Sequence, residues 1–216
     1  MSRGGWLELI LSIAILALAR WWRNGASVKG IAIGAVGASI VALTLFVPNP
    51  ISERLSANDH GSAVSRIPLM HLADTMIEAN PFLGVGANNF AVVMEKYEGP
   101  EFRHAWLYTV HNEFLLVASE TGIIGLVAYL WIYFDIIRRG WRLWKQRDRM
   151  FAPLGLGICA AVCGFMSHML VDIFSDRGLI QLLWIFMAMI AACELIRRVE
   201  AASEGRDRSV GVAHAA

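Results

Sequence analysis

Arg66, His111, Glu120 and the pair His168 and Asp172 are the residues whose types and spacing suit chemistry. Arginine stays charged and forks onto phosphate oxygens. Histidine titrates near neutral pH and can take up or return a proton. Arg66 has apolar neighbours on a stretch patterned as a helix, a setting that suits either an anion ligand or a lipid headgroup. His111 stands where the chain enters an apolar run, followed by Asn112 and Glu113; it suits either proton transfer or capping of that run. Arg3 stands near the start of the chain and suits either anion binding or snorkelling to an interface. Glu120 is a carboxylate inside an apolar run, a costly placement that marks a functional or paired group. It lies nine residues after His111, so on a straight helix the two side chains face nearly opposite ways. Glu120 is therefore read as a structural residue paired with another polar group. His168 and Asp172 are four apart and share a helix face. Gly84 and Gly86 precede a short helical stretch; they either shape a tight turn or aim backbone N–H groups at phosphate. With no strand before them, a dinucleotide-binding reading is rejected.

The elements that must position these residues are membrane spans. Of the 216 residues 56% are hydrophobic and only 17% are charged, against about 25% charged in a soluble domain. A span needs about 20 mostly apolar residues. Five stretches qualify, at 5–21, 30–47, 114–137, 151–174 and 179–196; the first is short and contains Glu8. The fold expected is all-α, a polytopic membrane helix bundle with about five transmembrane helices. The cysteines Cys159, Cys163 and Cys193 fall within apolar runs as small packing residues. No His, Cys, Asp or Glu spacing suggests a metal.

Lysine and arginine mark the cytoplasmic side. The 138–150 loop carries Arg138, Arg139, Arg142, Lys145, Arg147 and Arg149, the 20–29 loop Arg20, Arg23 and Lys29, and the tail Arg197, Arg198, Arg206 and Arg208. Five spans put all three segments on one side. The long 48–112 loop, poor in basic residues, then faces outward. Trp21, Trp22, Trp141 and Trp144 stand at span ends, where indole favours the interface. The domain division expected is a membrane domain over 1–200 and a disordered cytoplasmic tail over 201–216.

The outer loop is partly helical. Residues 62–79 read as an amphipathic helix, with Ile67, Met70, Ala73 and Ile77 at helical spacing and Pro68 placing its regular start near Ser65. Asn80-Pro81 ends it, 82–86 make an apolar turn, and 87–97 form a second short helix. These two helices are expected on the membrane surface or over the mouth of the bundle.

Together the motifs resemble one family. The run from Asn80 through Pro81, Phe82, Leu83, Gly84, Val85 and Gly86 to Phe90 resembles the NP-hydrophobic-hydrophobic-G-x-G-x-x-x-F signature of the O-antigen ligase/polymerase superfamily. His111-Asn112-Glu113-Phe114-Leu115 followed by Glu120-Thr121-Gly122 and Gly125 resembles its HN-x-x-L and E-x-G-x-x-G element. Ser65-Arg66 with Leu69 and Met76 resembles its arginine-bearing helix, and Ser2-Arg3-Gly4 its SRG motif. In one respect the chain departs: the R-x-x-x-L spacing of some ligases meets Met70 here. Family members have more membrane helices, and this chain starts at the SRG motif, so it is expected to be the C-terminal part of a longer protein.

The resemblance implies a multi-pass protein of the bacterial inner (cytoplasmic) membrane. It implies transfer of glycan from undecaprenyl pyrophosphate to a hydroxyl of a glycan, lipid or protein acceptor on the outer face, with no metal, no other cofactor and no nucleic acid. In that reading Arg66 and Arg3 are diphosphate ligands, with Gly84 and Gly86 as lesser candidates. His111 is the catalytic candidate, as base, proton shuttle or pyrophosphate donor. Asn112, Glu120, His168 and Asp172 are supporting residues, the last two near an acceptor cleft. Ligase and polymerase remain open. So do a polysaccharide transporter or flippase component and an inactive truncated remnant, although the candidate polar residues gather at the outer mouth rather than at a transporter's midplane.

Overall fold

A computed structural model describes residues 3–24, 62–99, 109–146, 148–173 and 177–215; for 3, 4, 6, 24, 62–65, 177, 179 and 204–215 it describes the backbone alone. All regular structure among the described residues is helical. The helices are α1 (Arg3–Asn24), α2 (Ser62–Ala79), α3 (Phe90–Val93) with a 3-10 turn at Met94–Lys96, α4 (Glu113–Lys145), α5 (Phe151–Met169) and α6 (Arg177–Ala215). The protein is thus an all-α, polytopic membrane protein. Among the described residues three stretches are long and apolar enough to cross a membrane: α4, α5 and Ile180–Ser203 of α6. The expected first span is helical as α1 but is not one of the three. The expected span at 30–47 lies outside the described residues. The backbone of α6 runs on through Ala215; the Ala, Glu and Arg after 200 favour helix.

The chain forms two compact units, one of residues 1–132 with 163–174 and one of 133–162 with 175–216. In the first, the outer loop has a hydrophobic core of its own. Leu69, Leu72, Ala73 and Met76 of α2 are buried with Phe90, Met94 and Val110, and Leu115 and Leu116 from the start of α4 pack on them. The buried stripe of α2 runs i, i+3, i+4, i+7, as an amphipathic helix requires. It differs from the expected face: Ile67 and Met70 are 52% and 40% exposed, and of the expected four only Ala73 is fully buried. Pro68 lies inside α2, which starts at Ser62 rather than near Ser65. The buried faces of α2 and α3 therefore pack on each other and on the start of α4.

In the second unit the backbones of α4 and α5 approach closely. A Cβ built on Gly140 would press on Gly155 O, and one on Gly155 on Gly140 O. Small residues permit this contact in membranes. The Cys159 thiol donates to Ile137 O at 3.3 Å beside it. Asp148 caps α5, its Oδ1 accepting from Met150 N and Phe151 N at 2.7 Å each.

Candidate functional site

The candidate residues divide between two hydrogen-bonded centres in the first unit. One is the turn that ends α5. Val171 N and Asp172 N both donate to His168 O, closing the helix. Leu170 and Val171 follow the last helical residue, Met169, and their carbonyls accept from side chains. Asn112 Nδ2 donates to Leu170 O at 3.0 Å, and Arg66 Nη1 donates to Val171 O at 2.8 Å. Two adjacent carbonyls thus hold the arginine of α2 and the residue next to His111. Asn112 also caps α4, its Oδ1 accepting from Leu115 N at 3.0 Å.

His111 is half-buried, and its Nδ1 lies 3.1 Å from Thr109 O. A carbonyl oxygen can only accept, so in the neutral ring Nδ1 carries the proton and Nε2 keeps its lone pair. That tautomer is the one a base requires. Arg66 uses one of its five N–H donors on Val171, and a guanidinium so anchored can offer others to an anion.

The same turn reaches a second histidine. His168 Nδ1 is 3.1 Å from Glu8 Oε2, and its Nε2 is 4.0 Å from Asp172 Oδ2. Glu8 comes from α1, whose backbone lies so close to α5 here that a Cβ on Gly164 would meet Glu8 and Ser12. His168 is thus set between two carboxylates 164 positions apart in sequence, and Asp172 Oδ1 also accepts from Ile173 N. The sequence reading took Glu8 only as a weakness in the first span. The signal that could have found its role is the cost of an apolar-embedded carboxylate, which demands a partner.

Glu120 belongs to the other centre. α4 is broken at Gly122, with φ 67° and ψ −172°, and the NP turn docks into the break. Ile123 N donates to Pro81 O at 2.8 Å, Val85 N to Ser119 O at 2.9 Å and Gly86 N to Glu120 O at 2.9 Å. The contact is so tight that a Cβ on Gly84 would strike the Glu120 backbone and one on Gly122 the Phe82 backbone. Gly84, Gly86 and Gly122 all have positive φ. The Glu120 carboxylate reaches over the turn, Oε2 accepting from Asn88 N at 2.8 Å and Oε1 from Phe90 N at 3.0 Å. Glu120 is paired with polar groups as expected, but those groups are backbone amides at the start of α3. Asn80, at the head of the motif, donates from Nδ2 to Tyr97 Oη at 2.9 Å.

The N–H groups of Gly84, Val85 and Gly86 donate to Asn80, Ser119 and Glu120 carbonyls. They are occupied within the fold rather than free to cradle phosphate; Gly84 permits close backbone approach to Glu120, and Gly86 supplies a positive φ beside the Asn89 side chain. Arg3 begins α1, and its side chain lies outside the described residues. Among the described residues no group of three or more His, Cys, Asp or Glu side chains is placed to hold a metal ion.

Compared with family models, residues 1–130 match the one described as O-Antigen ligase. No curated protein matches the chain at a significant level. The match takes in Arg3, Arg66, the NP turn, His111 and the Gly122 break, and it stops short of His168 and Asp172. Covering well over half of the 216 residues, it shows that the chain belongs to the O-antigen ligase family.

Proposed function

We propose that this protein transfers glycan from undecaprenyl pyrophosphate to an acceptor hydroxyl at the outer face of the bacterial inner membrane. The observation that supports this reading is the shared turn, where Arg66 and Asn112, the neighbour of His111, donate to adjacent carbonyls. His111 Nε2 accepts the proton of the acceptor hydroxyl as its oxygen attacks the anomeric carbon. The bond from that carbon to pyrophosphate breaks, and the leaving oxygen takes the electron pair. Arg66 neutralises the growing charge with guanidinium N–H groups not used on Val171. Burial of the α2 stripe fixes the helix that carries Arg66, and the Gly122 dock fixes the turn after it.

The full chain is reconstituted with a lipid-linked glycan donor and a lipid acceptor, and both the freed polyprenyl pyrophosphate and the glycosylated product are measured. Loss of a general base lowers rate about 10²–10⁴-fold, so His111→Ala is expected to fall in that range. Arg66→Ala is expected to fall further than Arg66→Lys, which keeps charge without the fork. Turnover by both alanine variants at the wild-type rate would remove the assignment. Product carrying one unchanged glycan marks a ligase, whereas a ladder of lengthening glycans marks a polymerase.

A further inference from the structure

The second unit holds a cationic cavity that takes no part in the reading above. It has a volume of about 340 Å³ and lies between α4 and α6, lined by Arg142, Gln146, Glu194, Arg197 and Arg198 among others. Ligand sites generally start near 300 Å³, room enough for a phosphoglycerol group. Three guanidinium groups face one carboxylate, and that carboxylate is already engaged. Glu194 Oε2 accepts from Arg139 Nη1 at 2.9 Å, and its Oε1 stands 3.8 Å from Arg142 Nη2. Asp135 binds Arg138 and Arg139, and Asp148, within electrostatic reach of Arg197, uses its Oδ1 on the amides of Met150 and Phe151. Arg197 Nη1 is buried with no hydrogen-bond partner among the described residues. A buried charged donor calls for an acceptor, and three arginines together suit an oxyanion bound through paired N–H groups.

The setting identifies the carrier of that anion. α4 and the lining part of α6 both belong to stretches long and apolar enough to span. Trp141 and Trp144, which flank the lining residues Arg142 and Leu143 in sequence, have ring centroids 4.5 Å apart with their planes tilted by 50°, and Lys145 Nζ lies 5.8 Å over Trp141. Indole and basic side chains at a helix end mark the headgroup level. Basic pockets between membrane helices at such a level take lipid phosphates. We propose that this cavity binds the phosphate of an anionic phospholipid from the leaflet at the basic ends of α4 and α6. The site lies wholly outside the matched residues 1–130 and does not depend on the transfer reaction.

The test uses the purified full chain, with lipid retention read by native mass spectrometry and melting read in nanodiscs. The probes are phosphatidylglycerol, phosphatidylcholine and millimolar inorganic phosphate. Phosphatidylglycerol is expected to be retained over phosphatidylcholine and to raise the melting temperature. Arg197→Gln and Arg198→Gln are each expected to weaken that retention about fivefold, the equivalent of ~1 kcal/mol per basic side chain. Arg138→Gln removes the same charge from a residue outside the lining and is expected to leave retention unchanged. Arg198 is exposed, so its variant reports on the site even if Arg197→Gln does not fold. Equal retention of the two lipids overturns the proposal, and so does an Arg138→Gln loss as large as that of Arg198→Gln. Inorganic phosphate that stabilises the chain and displaces phosphatidylglycerol would assign the cavity to a soluble anion and overturn the lipid reading.

Discussion

The two compact units solve the same problem, satisfying polar groups in an apolar chain, in opposite ways. In the first, the backbone leaves helical geometry at Gly122, at the NP turn and at the end of α5, and side chains cover each opening. Glu120 takes two amides, Arg66 and Asn112 take two carbonyls, and Glu8 takes a histidine. In the second, α4 and α5 stay regular, glycines let them touch, and Asp135 and Glu194 take arginines at the helix ends. Irregular backbone is tolerated at membrane depth only where it is buried in protein or lines a cavity. On the function proposed above, the first unit is where a substrate is met and the second acts as a support.

The sharpest break in that contrast is at Gly122. It combines a positive φ with a Cβ position that collides with the backbone of Phe82 and Leu83. Gly122→Ala is expected to destabilise the fold by about 4 kcal/mol or more, since neither neighbour is a flexible side chain. The expected readout is loss of the monodisperse folded peak and of transfer together. The counterpart in the second unit is Gly155→Ala. Its Cβ would lie 2.6 Å from Gly140 O and 2.8 Å from Leu143 Cβ, but the helix geometry itself accepts alanine. Separation of the helices then costs about 1–3 kcal/mol. Gly157, two residues on, has open space around it, and its alanine variant is expected to stay within about 0.5 kcal/mol of wild type. Melting of the three variants side by side ranks them, and a Gly155→Ala loss equal to that of Gly122→Ala would remove the distinction between the units.

Glu120→Gln probes the side-chain cover alone. The carboxamide keeps one acceptor oxygen for the two amides of Asn88 and Phe90 and sets an N–H against the other. Loss of a charge-assisted bond with one donor stranded costs about 1.5–3 kcal/mol. Amide exchange is expected to rise across residues 88–96 while α5 keeps its protection. If exchange in 88–96 were unchanged, Glu120 would have no hold on the turn.

How much of this could be read in advance follows from how far apart in sequence the partners are. The arginine, the NP turn and the histidine were legible because each sits in a short contiguous motif. That Glu120 is paired was legible from its cost, but its partners were not, because the amides come from a turn some 30 residues earlier and the straight-helix assumption fails at Gly122. The Glu8 and His168 contact spans 160 positions, which no local pattern records. The face of α2 was misjudged because apolar residues occur on both sides of it, and only packing on Phe90 and Met94 selects Leu69, Leu72 and Met76.

The mildest test lies at the cap of α5, in the second unit. Asp148 accepts from Met150 N and Phe151 N, and these two amides hold its carboxyl below the usual carboxylate range. A carboxyl whose folded pKa is depressed adds stability above the unfolded value, about 3.9 for aspartate. That contribution disappears as pH falls through the folded value. Wild type is therefore expected to melt slightly above Asp148→Ala at pH 7, with the gap closing as the solution is taken below about pH 4. Because Asp148 is only partly buried, the gap is expected to be the smallest of the set and to leave glycan transfer unchanged. A gap that persists at low pH would mean that the neutral carboxyl caps as well as the charged one, so that the support unit owes nothing to that charge.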